Sequence, residues 1–154
     1  MGEIKVKKSV RDPVDRKEDG LRVLITRYWP RGISKKHIAA ERYLSESEPK
    51  PKLLTRKQVA AKRSFIDLAP SVQLHKDWKN RKENKMTWSD YARRFLDEIE
   101  NNPLAQLCIE WLRKKSKTTD ITLLCIEKEG NPYCHRYIVK ALIEGKVYVP
   151  PLNK

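Results

Sequence analysis

Ile121-Thr122-Leu123-Leu124-Cys125-Ile126 is the stretch that decides the fold, because it is a short and nearly continuous apolar run. Such a run is typical of a strand buried on both faces, as strands of parallel sheets are. A second run, Leu21-Arg22-Val23-Leu24-Ile25-Thr26, is β-branched and apolar and predicts a central strand. We expect the two strands to lie side by side and to run in the same direction. The predicted class is α/β: a single compact domain over residues 1–154, with a small, mostly parallel sheet flanked by helices.

Capping signals predict the helices that flank this sheet. Each predicted helix follows a residue whose side-chain oxygen can accept a hydrogen bond from a free amide of the first turn. The predicted N-caps are Ser34, Ser71, Thr87, Asn102 and Asn131. The helix after Thr87 has the clearest apolar stripe, formed by Trp88, Tyr91, Phe95, Leu96 and Ile99. We expect the last helix to open at Pro132 and to end at Gly145.

The remaining segments predict edges and connections. Residues 3–7 alternate between apolar and charged side chains, which indicates an edge strand. Residues 11–20 and 79–85 are polar and are predicted to be loops, and residues 146–149 are predicted to form a short final strand. Residues 41–63 are rich in basic side chains and are interrupted by two prolines, so we expect an insertion or a long loop there.

The charge of the chain indicates partners that carry phosphate. Its 154 residues include 34 lysines and arginines against 20 acidic residues, which gives a net charge of +14. Such an excess favours nucleic acid or smaller anions, although a solvated basic surface without a partner is an alternative.

Targeting signals are absent from the pattern, and the cysteines are few. No window approaches the ~18 consecutive apolar residues of a membrane span, and the first residues lack the apolar core of a secretory signal. Three widely spaced cysteines argue against a disulfide framework. We therefore expect a cytoplasmic protein with no membrane partner.

Ligands of parallel α/β sheets bind outside the carboxyl ends of the strands, and two segments of unusual chemistry follow the two runs. After the first run come Arg27, Trp29 and Arg31. The arginines can clamp an anion, and Trp29 offers a flat face for stacking or, alternatively, packs a corner of the core. These three residues are predicted ligand-binding residues.

The second segment places Cys134, His135 and Arg136 in the predicted first turn of the last helix. Free amides and the positive end of the helix dipole favour a thiolate or a bound anion there. Cys134 is the predicted nucleophile, His135 a proton carrier and Arg136 an anion ligand. The alternative for Cys134 is a small buried hydrophobe that shares a helical face with Ile138.

Cys125 and Glu127 end the second run. Cys125 is either part of the core or a ligand-binding residue, and Glu127 is either a partner for a nearby cation or a second proton carrier. Cysteines, a histidine and a glutamate are metal-ligating types, but the spacing from Cys125 to Cys134 is not that of a Cys-x2-4-Cys zinc pattern. We predict neither a metal nor a cofactor.

The chain resembles the YeaO-like proteins of domain-of-unknown-function family 488. The resemblance lies in Arg27-Tyr28-Trp29-Pro30-Arg31-Gly32-Ile33-Ser34-Lys35, in Asp67-Leu68-Ala69-Pro70-Ser71, and in Cys125-Ile126-Glu127 with Cys134-His135-Arg136, and it covers roughly residues 4–144. It implies a compact cytosolic α/β protein and does not imply a reaction. The basic stretch before Asp67 is longer than in close YeaO-like relatives, and many of those lack the Cys-His-Arg triplet, which argues against a general requirement for the thiol.

Two functions follow from these observations. The first is the binding of a small phosphate- or carboxylate-bearing ligand at the carboxyl edge of the sheet. The alternative is a basic nucleic-acid-binding accessory protein without catalytic activity. The pattern leaves the ligand, the reaction and the oligomeric state open.

Overall fold

A three-stranded parallel sheet is the centre of the fold. The structure, a computed structural model, describes residues 2–6, 16–26, 65–125 and 131–151. Strand β3, Ile121–Leu124, pairs with β1, Ile4–Lys5, on one side and with β2, Leu21–Leu24, on the other. All four residues of β3 are buried, which explains its continuous apolar run.

Helices account for most of the remaining described residues. A 3₁₀ helix at Phe65–Leu68 precedes the long helical region. The α-helices are α1 (Arg16–Asp19), α2 (Val72–Lys79), α3 (Arg81–Asn84), α4 (Trp88–Glu100), α5 (Pro103–Lys115) and α6 (His135–Glu144). None of these helices combines the length and the apolar character that a membrane crossing requires.

The predicted α/β class and the parallel pairing of the two apolar runs are confirmed. Leu21 lies opposite Ile121 and Leu24 opposite Leu124, so the carboxyl ends of β2 and β3 lie next to each other. The prediction that Leu21–Thr26 forms the central strand is wrong. Within the described ranges β3 is central, because it bonds to a strand on each side, and β2 lies at an edge.

Three of the predicted N-caps are confirmed. Ser71 Oγ accepts from Leu74 N at 3.1 Å, and Asn102 Oδ1 accepts from Leu104 N at 3.1 Å. Thr87 and Asp90 form a reciprocal capping box at the start of α4. These caps are local in sequence, which is why the pattern alone locates them.

Two predicted loops contain a helical turn. Within residues 79–85, α3 follows α2 after one residue, and it is polar on all sides because its residues remain exposed. Within residues 11–20, α1 ends at the buried Asp19, whose carboxylate pairs with the buried Arg22 guanidinium. A buried ion pair at the start of β2 therefore shapes a segment that composition alone assigns to a loop.

The final strand predicted over residues 146–149 is absent from the described structure. Val147 and Val149 are exposed, and the segment is fixed instead by a side-chain bond in which Trp88 Nε1 donates to Tyr148 Oη at 2.7 Å. The alternation of side chains here reflects one anchored tyrosine between two solvated valines.

The core lies between the sheet and helices α4, α5 and α6. Phe95, Leu112 and Leu123 are fully buried and belong to one apolar cluster. Arg113 of α5 donates to the carbonyl oxygens of Leu142 and Ile143 at 2.8 and 3.0 Å, so it caps the end of α6. This contact fixes the C-terminal end of α6 against α5.

Candidate functional site

The carboxyl ends of β2 and β3 form one side of the candidate site. Ile25 N donates to Leu124 O at 3.2 Å, so the two chains remain adjacent just beyond their paired residues. Cys125 follows directly and is buried. This is the edge at which parallel sheets bind ligands.

The start of α6 forms the other side, and it lies three residues beyond the predicted cap. Asn131 Oδ1 accepts a hydrogen bond from Tyr133 N at 3.0 Å, so it stabilises a turn that precedes the helix. The N-cap is Cys134, with extended φ and ψ of −138° and 137°, and its side chain makes no cap hydrogen bond. The prediction that Asn131 caps and Pro132 opens the helix is therefore wrong, and the Cys134 sulfur is left for other contacts.

Four predicted site residues come together at this point, and we call them the thiol cluster: Cys125, Cys134, His135 and Arg136. The sulfur atoms of both cysteines and a ring nitrogen of His135 all lie within 4.8 Å of one another. Arg136 Nε donates to Cys134 Sγ at 3.1 Å. Arg136 is 0% exposed and Cys134 is 2% exposed, so this contact is shielded from water.

His135 joins the cluster to β2. Its Nε2 lies 2.7 Å from the carbonyl oxygen of Ile25. A carbonyl oxygen only accepts hydrogen bonds, so Nε2 holds a proton and Nδ1 is the nitrogen left for the thiol cluster. The edge of the His135 ring also packs against Phe95, with 5.7 Å between the ring centroids.

The surroundings of Cys134 lower the pKa of its thiol from 9.0 to about 3. The largest cause is a hydrogen bond from the Cys125 thiol. Burial acts in the opposite direction and raises the pKa. His135, through a hydrogen bond and its positive charge, and Arg136, through its charge, lower the pKa further. Cys134 is therefore a thiolate at neutral pH, which is the reactive form of cysteine.

Tyr148 is a neighbour of this charge that the sequence analysis missed. Its pKa is raised chiefly by burial, and the negative charge of Cys134 raises it further, whereas the hydrogen bond from Trp88 lowers it. No motif marks Tyr148, because the segment is distant in sequence and carries no polar pattern.

Three atoms of the thiol cluster are of the type that zinc accepts: the sulfurs of Cys125 and Cys134 and a His135 nitrogen. The sequence spacing did not indicate this proximity. The buried Arg136 guanidinium, however, already donates to the Cys134 sulfur, and a cation on that sulfur would lie close to a like charge of fixed position. The arrangement is better suited to a free thiolate.

The other predicted site residues, Arg27, Trp29, Arg31 and Glu127, lie outside the described residues. The same holds for the predicted helix after Ser34 and for the basic stretch 41–63. Their roles stay predictions.

Comparison with protein families gives one assignment. The model of the DUF488-N3a family, described as the active DUF488-N3 subclade, matches residues 4–147. The chain belongs to the DUF488 family. The predicted resemblance is thus confirmed, and the matched range contains the whole thiol cluster of this DUF488 protein. Neither the curated proteins nor the solved structures contain a significant match to it.

Proposed function

We propose that this DUF488 protein is a cytosolic protein that binds a small phosphate- or carboxylate-bearing ligand at the carboxyl edge of its sheet. The Cys134 thiolate attacks an electrophilic atom of that ligand. The bond between sulfur and the electrophile forms as the bond to the leaving group breaks, and the leaving group takes a proton from His135 Nδ1. Three free cysteines in the described structure accord with a reducing compartment.

The observation that carries the proposal is the contact between Arg136 and Cys134. A guanidinium without any exposure requires an anion beside it, because burial of an unpaired charge is costly. The sulfur at 3.1 Å from Arg136 Nε supplies an anion at this guanidinium when it is a thiolate. A thiolate accepts a charge-assisted hydrogen bond there, which is stronger than the bond that a neutral thiol accepts.

Attraction for a second anion follows from the local charges. The thiolate offsets one positive charge, and a protonated His135 beside Arg136 leaves a positive excess at the start of α6. Arg27 and Arg31 follow β2 in sequence and are proposed to reach the same edge and to clamp the ligand, with Trp29 against its apolar part. Glu127, which follows Cys125 by two residues, is proposed as a second proton carrier.

Alkylation as a function of pH tests the thiolate. We expect iodoacetamide to modify Cys134 at pH 5 nearly as fast as at pH 8, because Cys125, His135 and Arg136 hold its sulfur ionised at both. Peptide mass spectrometry separates the three cysteines, and Cys108 of α5 is the internal control. A Cys134 rate that rises tenfold per pH unit up to pH 8 contradicts the proposal.

Competition tests the anion site. Inorganic phosphate or sulfate should slow the alkylation of Cys134 in a saturable manner at constant ionic strength, whereas chloride should not. Arg31→Met is expected to remove this protection and to leave the alkylation rate without phosphate unchanged. Equal alkylation rates of Cys134 with and without phosphate, up to high phosphate concentration, would contradict the proposed anion site.

The second candidate, nucleic-acid binding, is favoured by the net charge of +14. It predicts affinity for duplex or single strands that falls steeply with salt, because bound counterions are released. Deletion of residues 44–60 should abolish this binding and spare the reactivity of Cys134. Negligible binding at low salt would exclude the candidate.

A further inference from the structure

The sulfur atoms of Cys125 and Cys134 lie close enough together to act as a pair. Both lie in the thiol cluster within 4.8 Å of each other, and neither is part of a disulfide. The Cys125 thiol donates a hydrogen bond to the Cys134 thiolate. A reactive thiolate with a second thiol in contact is the arrangement in which an oxidised sulfur is captured before it oxidises further.

The positions of the two residues allow the sulfurs to approach. A disulfide requires about 2.05 Å between the sulfur atoms, so one side chain has to rotate. Cys125 follows the last residue of β3, and Cys134 is an N-cap whose side chain makes no cap hydrogen bond. Rotation of Cys134 therefore breaks no cap hydrogen bond of α6, and the contact that its sulfur exchanges for Cys125 is the one with Arg136 Nε.

We propose that Cys134 and Cys125 form a dithiol that reduces a small hydroperoxide, with Cys134 as the attacking sulfur and Cys125 as the thiol that closes the disulfide. This inference rests on the anionic Cys134 of the proposed function. Because both residues are buried, a small oxidant such as hydrogen peroxide is favoured over a bulky one.

The chemistry proceeds in two balanced steps. The Cys134 thiolate attacks one peroxide oxygen, so that an S–O bond forms, the O–O bond breaks and the released hydroxide takes a proton from His135 Nδ1. Sulfur is oxidised by two electrons and the peroxide is reduced to water. The Cys125 sulfur then attacks the Cys134 sulfenic acid, the S–S bond forms, and the hydroxyl leaves as water with the Cys125 proton. An external dithiol restores both thiols.

Treatment of the full chain with one equivalent of hydrogen peroxide tests the proposal. We expect the intact mass to fall by two hydrogen atoms and peptide mapping to join the Cys125 and Cys134 peptides. Cys108→Ser should behave as the wild type. Cys125→Ser should lose the disulfide and accumulate sulfenic acid at position 134, trapped by dimedone, and then sulfinic acid.

Two results separate the possible failures. Sulfinic acid at Cys134 of the wild type with Cys125 still free, or a disulfide to Cys108, overturns the dithiol while fast alkylation at pH 5 still supports the thiolate. Slow alkylation at pH 5 together with no disulfide overturns both. A circular dichroism spectrum shows whether Cys125→Ser is folded. If it is not, Cys125→Ala is the replacement variant and should also lose the disulfide.

Discussion

Arg136 is the residue on which the site depends most. It is large, charged and 0% exposed, and its Nε lies 3.1 Å from the Cys134 sulfur. Removal of one partner from a buried charge pair is strongly destabilising, because the other charge then stays buried without compensation. Replacement of both partners by apolar residues costs far less. The reactivity of Cys134 and the stability of the start of α6 are therefore coupled through one contact.

Arg136→Met tests this coupling. We expect the pKa of Cys134 to rise by at least one unit, read as the midpoint of the alkylation profile, and the free energy of unfolding at pH 8 to fall by about 3 kcal/mol. Arg136→Lys keeps the charge and should give an intermediate midpoint. Arg81→Met, on the exposed surface where the guanidinium lies over Trp78, is the control and should leave the midpoint unchanged and cost no more than about 1 kcal/mol. An unchanged midpoint in Arg136→Met would show that Arg136 does not hold the thiolate.

The lowered pKa of Cys134 also makes stability depend on pH. The folded state holds the thiolate down to about pH 3, whereas the unfolded chain protonates its thiol below about pH 9. The stabilisation is therefore complete above pH 9 and is lost progressively as pH falls toward 3. In urea titrations, the advantage of the wild type over Cys134→Ser should shrink from pH 8 to pH 5. Cys108→Ser should show a difference that is constant with pH, and the same constancy for Cys134→Ser would contradict the prediction.

At the scale of elements, caps that use neighbouring residues were predictable and caps that use distant contacts were not. Ser71, Thr87 and Asn102 serve amides two or three residues away, so sequence spacing locates them. Asn131 has the same local pattern, yet its oxygen serves Tyr133, and α6 begins at His135. The position of α6 depends on tertiary contacts, among them the bond from His135 to Ile25, which spacing cannot encode.

Thr87→Ala tests the contribution of the capping box to α4. The change removes the acceptor for Asp90 N and the partner of the Asp90 side chain, so we expect a loss of about 1 kcal/mol in the free energy of unfolding. Thr118→Ala, in an exposed turn after α5, is the matched control with an expected effect below about 0.5 kcal/mol. Equal effects of the two changes in urea denaturation would count against the cap.

At the scale of the whole molecule, the two apolar runs were sufficient to predict a parallel α/β fold, and they brought Cys125 and Cys134 to one edge as expected. The order of the strands was not predictable, because Leu21–Thr26 and Ile121–Ile126 are both apolar and only pairing on both sides makes β3 central. The part played by Tyr148 was also hidden, since it depends on a bond across sixty positions.

Gly20→Ala tests how closely β2 approaches β3. Gly20 has a φ of +63°, and a Cβ there would lie 2.2 Å from the carbonyl oxygen of Asp120, which accepts from Leu21 N at 2.8 Å. Gly145→Ala is the matched control, because its φ is +69° but its Cβ would meet nothing within 4 Å. We expect Gly145→Ala to cost about 1 kcal/mol and Gly20→Ala at least about 2 kcal/mol more, measured by urea denaturation. Similar losses would mean that the backbone at Asp120 yields easily.

The central place of β3 has a consequence for biosynthesis. Within the described ranges, β1 and β2 are made first but hydrogen-bond only to β3, which lies about a hundred residues later in the chain. The nascent polypeptide therefore carries the apolar residues Val23, Leu24 and Ile25 without a sheet partner until most of it has left the ribosome. Throughout that interval this segment is a natural substrate for chaperones that shield extended hydrophobic chains.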